Sequence, residues 1–432
     1  MIDLFLSVPI LYKVLGTLLL ILILNHFFKN LLVSVGIGAI LLGLWSGHSL
    51  GAIAEIAWKR VSSPDNLLLM VVVLQVIWLS TLMSEAGVMQ DLVQVIRARI
   101  PRYLAFAALP AVIGFLPMPG GAIFSAPLVE SCDQHGKLPG QLKAQTNYWF
   151  RHIWEFWWPL YPAVLLACDL TGLEIWQFIL LQIPLTLLAV GSGYLFLLRR
   201  IPREEETKDP PSAAGPSFWF LIAPILAVIS SYAIVRLALP SLAGFNKYLP
   251  MLIGLFLALI VLRLQRKSSL SNWKRVVFSK RAYSLVLLIA VVRIYGAVLE
   301  APLAGGVLLV EQMRIELSHF GIPLTAVMAL IPLISGMAMG LFVGVVGASF
   351  PIVLSLIGQD PALGRLLSVT VLSYSFGFMG TMLSPVHVCL VVTNEYFKTQ
   401  LLHTMISLIK PVSVFLLGAL LFSLGIARLW AV

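Results

Sequence analysis

Three ionisable residues fall inside one strongly apolar run, NYWFRHIWEFWWPLYP: Arg151, His152 and Glu155. Charged side chains at membrane depth are costly, so by default they mark a pathway, a relay or a paired site. Arg151 could hold an anion, while His152 or Glu155 could carry a proton. The spacing serves a structural role equally well. Arg151 and Glu155 stand i,i+4 and could neutralise each other along one helix face, and His152 could be a satisfied polar group.

Two further segments combine glycine, proline and serine. In GFLPMPGGAIFSAPLVE, Pro117 and Pro119 remove amide donors and bend the chain, while Gly120 and Gly121 permit backbone conformations closed to other residues. The arm that follows would start with free N–H groups aimed at the tip, the usual setting for an anion, with Ser125 in its first turn. In SGMAMGLFVGVVGASFPIV, Gly344 and Gly347 are expected to take the glycine part, with Ser349 just after. Hydroxyls and free amides at such tips could hold an oxyanion, and their exposed carbonyls could ligate a sodium ion. These serines could also simply bond within a packed hairpin.

The pattern occurs twice. An offset of 226 sets Tyr148 on Tyr374, Phe150 on Phe376 and Pro159 on Pro385, and an offset of 224 sets Ser125 on Ser349 and Pro127 on Pro351. Paired, Gly/Pro-interrupted apolar segments at matching positions of two halves are the best sequence pointer to a transporter's central site. The second copy, VLSYSFGFMGTMLSPVHVCLV, is nearly uncharged, with Gly377 opposite Arg151 and Thr381 opposite Glu155. Gly380, Thr381, Ser384 and Pro385 predict an unwound, polar-backbone stretch there. His387 follows as a further candidate for proton or ion coupling.

These segments need a bilayer around them. With 59% hydrophobic and 11% charged residues in 432, no soluble core could hide the apolar surface. A span takes roughly 20 apolar residues. About ten crossings are expected, with two re-entrant hairpins, about 103–131 and 322–357, and two broken helices, about 146–168 and 366–393. The fold class is an all-α polytopic membrane protein of two inverted repeats, 1–198 and 217–432, joined by the cytoplasmic linker 199–216. Amphipathic stretches, VMQDLVQVIRARIPR and GGVLLVEQMRIELSHF, precede the hairpins and would lie at the interface.

The net charge of +10 is a topology signal rather than a nucleic-acid one, because the basic residues sit in loops. One set of loops collects Lys29, Arg97, Arg102, Lys137, Arg203, Arg275 and Lys398, and the other little beyond Lys59, Arg60 and Lys247. The rich side is cytoplasmic by the positive-inside rule, so both termini lie outside in a multi-pass protein of the cell membrane. An odd number of crossings in the first repeat inverts the second, as alternating access requires. Cys132, Cys168 and Cys389 are isolated along the chain and imply neither a disulfide nor a metal. Met1–Leu6 lacks a basic n-region, so the run after it reads as a retained first span.

The motifs GFLPMPGGAIFSAP, NYWFRHIWEFWWPLYP and GTMLSPVHVCLVVTNEYF together resemble a family of uncharacterised prokaryotic integral membrane proteins of the ion-transporter superfamily. The resemblance covers essentially the whole chain. It implies an elevator-type architecture, with a scaffold, a mobile unit of two hairpins and two broken helices, and a homodimer. The Ser-Asn-Thr tip signatures of the superfamily's dicarboxylate symporters are absent, so sodium and dicarboxylate do not carry over. What carries over is the site: Pro119, Gly120, Gly121 and Ser125 with Gly344, Gly347 and Ser349, beside the breaks near Pro159 and Pro385. The expected function is secondary active transport of a small organic or inorganic anion, coupled to sodium or protons, with no cofactor otherwise. A membrane-embedded enzyme using His152 and Glu155, or a flippase for a lipid-linked anion, is the alternative. No HExxH run, aspartate cluster or nucleotide loop supports the enzyme.

Overall fold

The computed structural model describes residues 8–117, 121–133, 136–202, 216–303, 307–358 and 360–429. The described residues form helices and no strand; only Pro302 and Leu308 make an isolated bridge. In the first half the helices are α1 (Ile10–Phe28), α2 (Leu31–Trp45), α3 (Leu50–Val61), α4 (Pro64–Glu85), α5 (Val88–Arg97), α6 (Arg102–Gly114), α7 (Ala122–Cys132), α8 (Gly140–Arg151), α9 (Pro162–Thr171) and α10 (Ile175–Phe196). In the second half they are α11 (Phe218–Ala238), α12 (Pro240–Phe245), α13 (Leu249–Gln265), α14 (Leu270–Val277), α15 (Lys280–Glu300), α16 (Leu309–His319), α17 (Leu324–Met339), α18 (Phe342–Ser355), α19 (Leu363–Met382), α20 (Val388–Tyr396) and α21 (Leu401–Leu429).

Among the described residues six runs are long and apolar enough to cross a membrane: α1, α4, Ile175–Arg200, α11, Leu270–Glu300 and α21. The protein is therefore a multi-pass membrane protein. Shorter apolar helices, α2, α6, α7, α9, α13, α17 and α18, fill in between them. Large side chains such as Leu187, Leu237 and Leu417 stand exposed on the long helices, where hydrocarbon rather than water is their natural surrounding. α8, α18 and α19 are instead buried along almost their whole length, with Trp149, Phe350 and Tyr374 among the largest enclosed side chains.

Helix ends follow local chemistry. Asn30, Ser49, Ser269 and Ser279 accept amide N–H groups at the starts of α2, α3, α14 and α15, and Glu174 with Gln177 makes a capping box on α10. Prolines set the breaks. The first expected broken helix is α8 and α9, separated by turns over 152–161 that contain Pro159, and Pro162 opens α9. The second is α19 and α20, separated at 383–387 around Pro385. α6 packs on α7 and α17 on α18, each pair a helical hairpin. α5 and α16 occupy the two amphipathic stretches, whereas α3 has no counterpart among the expected elements.

The helices sort into two groups. In one, α2 packs on α15, α4 on α13 and α15, and α11 on α13. In the other, the hairpins enclose the broken helices: α6 packs on α8, α7 on α20, α9 on α18, α17 on α19, and α10 and α21 on each other.

Candidate functional site

The first break leaves carbonyls without helical partners, and side chains from two other elements supply donors. Thr186 Oγ1 donates to the Ile153 carbonyl at 3.0 Å and Tyr374 OH to the Glu155 carbonyl at 2.8 Å. The same break caps the first hairpin, where Trp154 Nε1 donates to the Ala111 carbonyl at 2.8 Å and Tyr161 OH to that of Gly114. Irregular backbone inside a membrane protein persists only with such partners. The tryptophans of this segment thus serve the site's frame more than a headgroup belt.

Arg151 is the last residue of α8, and its guanidinium lies against the first hairpin's tip. A Cβ added at Gly121 would sit 2.5 Å from Nη2 and 3.0 Å from Nε, so this approach requires glycine. Gly121 is the N-cap of α7, whose first N–H groups lack intrahelical partners. Ser125, one turn on, is fully buried, and among the described residues its Oγ has no hydrogen-bond partner. Pro119 and Gly120 lie outside the described residues.

The second hairpin departs from expectation. It turns at Gly340, at φ 61°, and Leu341. A Cβ on Gly340 would come within 2.9 Å of the His387 amide nitrogen, so this tip touches the second break. Gly344 and Gly347 are not at the tip. Spaced i,i+3 within α18, they face the first helix group, where added Cβ atoms would strike Leu31 and Val292. Ser349 is likewise inside α18, and its hydroxyl donates to the Val345 carbonyl at 2.7 Å. Thr381 Oγ1 donates to the Gly377 carbonyl at 3.1 Å, and Ser384 Oγ ties the break to α17 through the Met337 carbonyl at 2.7 Å.

Arg151, His152, His387 and Cys389 meet where the two breaks cross, all nearly or wholly buried, at 2, 1, 8 and 5% exposure. Arg151 Nη1 lies 3.1 Å from His152 Nε2 and donates to Cys389 Sγ at 3.2 Å. A guanidinium only donates, so His152 Nε2 carries a lone pair and its proton resides on Nδ1, which donates to the Tyr148 carbonyl at 2.5 Å. His387 Nδ1 faces the Thr381 carbonyl at 3.3 Å, which sets the same tautomer. The two rings stack edge to face with centroids 5.1 Å apart. Glu155 Oε1 is 3.8 Å from His152 Nε2, beyond a hydrogen bond. No Arg151–Glu155 ion pair forms among the described residues, because α8 ends at Arg151 and the i,i+4 relation is lost. A buried cation beside a helix N-terminus can bind an anion, and Glu155 and the two imidazoles can exchange protons.

A second polar cluster joins the two helix groups. Asp169 on α9 pairs with Arg293 Nη1 of α15 at 2.5 Å and with Lys247 Nζ at 3.5 Å, and accepts from Tyr248 OH. Nearby, Glu174 pairs with Arg236 of α11 at 2.9 Å. Nothing in the local sequence marks Asp169, which stands at a span's end. Cys389 was likewise passed over as isolated.

No curated protein matches the chain. Among solved structures, the crystal structure of the YdaH transporter of Alcanivorax borkumensis, described as having an unusual topology, is similar over 88% of this chain and 90% of that one. The TM-score is 0.56 at 13% identity, a likeness of fold. The sequence model of the family described as "Protein of unknown function (DUF401)" matches residues 12–425, and the chain belongs to that family.

Proposed function

We propose that the protein is a secondary active transporter of a small anion, working by alternating access. The observation that carries this reading is the Arg151 guanidinium, buried where a hairpin tip and two helix breaks converge. A permanent cation at that depth is costly and is retained where it meets an anion. Glu155, His152 and His387 beside it are the proton-coupling candidates, and sodium is the other coupling ion to test.

The packing supports an inverted repeat. Exchanging the halves turns α2–α15 into α13–α4, α1–α16 into α11–α5, α9–α18 into α20–α7 and α8–α21 into α19–α10, and every one of these pairs is in contact. Among the described residues the exchange breaks down most clearly at the boundary between the two groups. α15 packs on α18, α1 on α17 and α4 on α9, whereas among the described residues the exchanged pairs α4–α7, α11–α6 and α15–α20 meet at most marginally. With both termini outside, α9, α17 and α18 occupy the outer half of the moving unit and α6, α7 and α20 the inner half. The outer half is then packed on the scaffold and the inner half is not, which is an inward-facing arrangement of an elevator.

Uptake by proteoliposomes across a panel of small organic and inorganic anions, with and without sodium and proton gradients, tests the function. At least one anion should accumulate against its gradient, and Arg151→Gln should raise its KM. Gradient-independent leakage through wild type and variant alike would reject active transport.

A further inference from the structure

We propose that His152, His387 and Cys389 form a binding site for a soft divalent transition metal of the Zn2+ type. One ring nitrogen from each histidine and Cys389 Sγ lie within 4.8 Å of one another, all three residues buried. Four-coordinate zinc, with bonds of about 2.0–2.1 Å to nitrogen and about 2.3 Å to sulfur, sets its donors roughly 3.5 Å apart. Side-chain rotations of about an ångström would therefore close the set.

The surroundings fit ligation. Both rings give their Nδ1 proton to a backbone carbonyl, Tyr148 for His152 and Thr381 for His387, which leaves Nε2 as the lone-pair nitrogen. That outer-shell bond is how metal-binding imidazoles are ordinarily oriented. Two imidazoles and a thiol favour zinc, cobalt or copper, whereas sodium, magnesium and calcium take oxygen. The site is thus separate in kind from any sodium site at carbonyl-lined tips. It would staple the end of α8 to the start of α20, across both breaks, and binding would release the Cys389 thiol proton to water.

Arg151 makes the site conditional. Its Nη1 engages the lone pairs of two of the three donors, so guanidinium and metal are alternatives. The side chain already reaches toward Gly121, the direction in which it would withdraw. A substrate anion drawn to Arg151 and a metal drawn to the histidines would then occupy adjoining positions.

Cobalt titration of the purified full-length protein in detergent tests this without any flux, so its outcome is independent of the transport reading. The wild type should bind one Co2+ per chain with a thiolate-to-cobalt charge-transfer band in the near ultraviolet, displaced by Zn2+. Cys389→Ser should lose the band, and His387→Gln should weaken binding at least about tenfold. Arg151→Gln keeps all three donors while removing the competing cation, and should tighten binding at least about tenfold. A folded Arg151→Gln protein that shows no band, or a band that survives Cys389→Ser, overturns the proposal.

Discussion

On the proposed elevator mechanism, neutralising Asp169 should release the hairpin-containing helix group from the other. The Asp169 side chain is 3% exposed and that of Arg293 11%, with the ion pair at 2.5 Å, Lys247 at 3.5 Å and Tyr248 OH donating to the same carboxylate. Asp169 rides on α9, packed against the second hairpin, while its partners belong to α15 and the loop before α13. A hydrogen bond to a charged group contributes about 1.5–3 kcal/mol, and Asp169→Asn loses the charge that Tyr248 OH donates to and that Arg293 and Lys247 pair with. Weakening the packed state by about 2–3 kcal/mol shifts its equilibrium with the alternative roughly 30- to 150-fold. Spin labels at Leu104 on α6 and Leu264 on α13, both exposed, report the separation of the two groups. A second, differently spaced population should appear in Asp169→Asn and equally in Arg293→Gln, with the double variant adding little. An unchanged distance distribution, with only a lowered melting temperature, would refute the latch and leave an ordinary buried ion pair.

At the tip, Gly121→Ala places a Cβ 2.5 Å from Arg151 Nη2, so KM for the transported anion should rise at least about tenfold in uptake assays while the protein stays folded. Gly347→Leu instead wedges Val292 at the group interface and should slow turnover while equilibrium binding of the same anion in detergent is unchanged. At the C-terminal end of α7, burial pushes the Asp133 carboxyl up, but the Leu138 amide, the Lys143 ammonium and the Lys137 amide together hold it below its usual value. A depressed folded-state pKa stabilises the fold above the unfolded value of about 4 and loses that contribution as pH falls below it. Thermal unfolding should show that loss on acidification, and Asp133→Asn should flatten it.

The elements that position the site were legible because their signals are local. Pro159, Pro162 and Pro385 each remove a donor inside an apolar run, and both breaks sit on them. The second tip was misplaced because Gly340, Gly344 and Gly347 are equally good hinges by residue type. Their i,i+4 and i,i+3 spacing is the cue that was available: glycines on one helix face signal close packing, and only Gly340, at positive φ, makes the turn. Cys389 and Asp169 were missed for another reason. Each acquires its partners from the opposite half of the chain, and no local spacing reports a contact between His152 and Cys389 or between Asp169 and Arg293.

On the proposed repeat, the two halves share a backbone plan and divide the chemistry, and the packing explains why the second does not carry an arginine. Gly377, opposite Arg151 at the offset of 226, would place a Cβ 3.1 Å from Pro332 Cβ and from Val345 Cγ1, a tight contact that crowds out a side chain as long as arginine's. A Cβ on its neighbour Gly336 of α17 would lie 2.6 Å from the Thr381 amide nitrogen. α17 and α19 are therefore held backbone to backbone, and their hydroxyls at Thr381 and Ser384 are spent on main-chain carbonyls. The first break, long and braced by Thr186, Tyr374, Trp154 and Tyr161, is where a charged side chain has space and the freed backbone has partners. The second break is short and tightly packed, which suits it to close the site against Gly340 rather than to hold the anion through its own side chains. On that division, Arg151 cannot be relocated to position 377 with function retained, whereas the reverse loss, Arg151→Gly, should leave both breaks intact and remove only the anion's cationic partner.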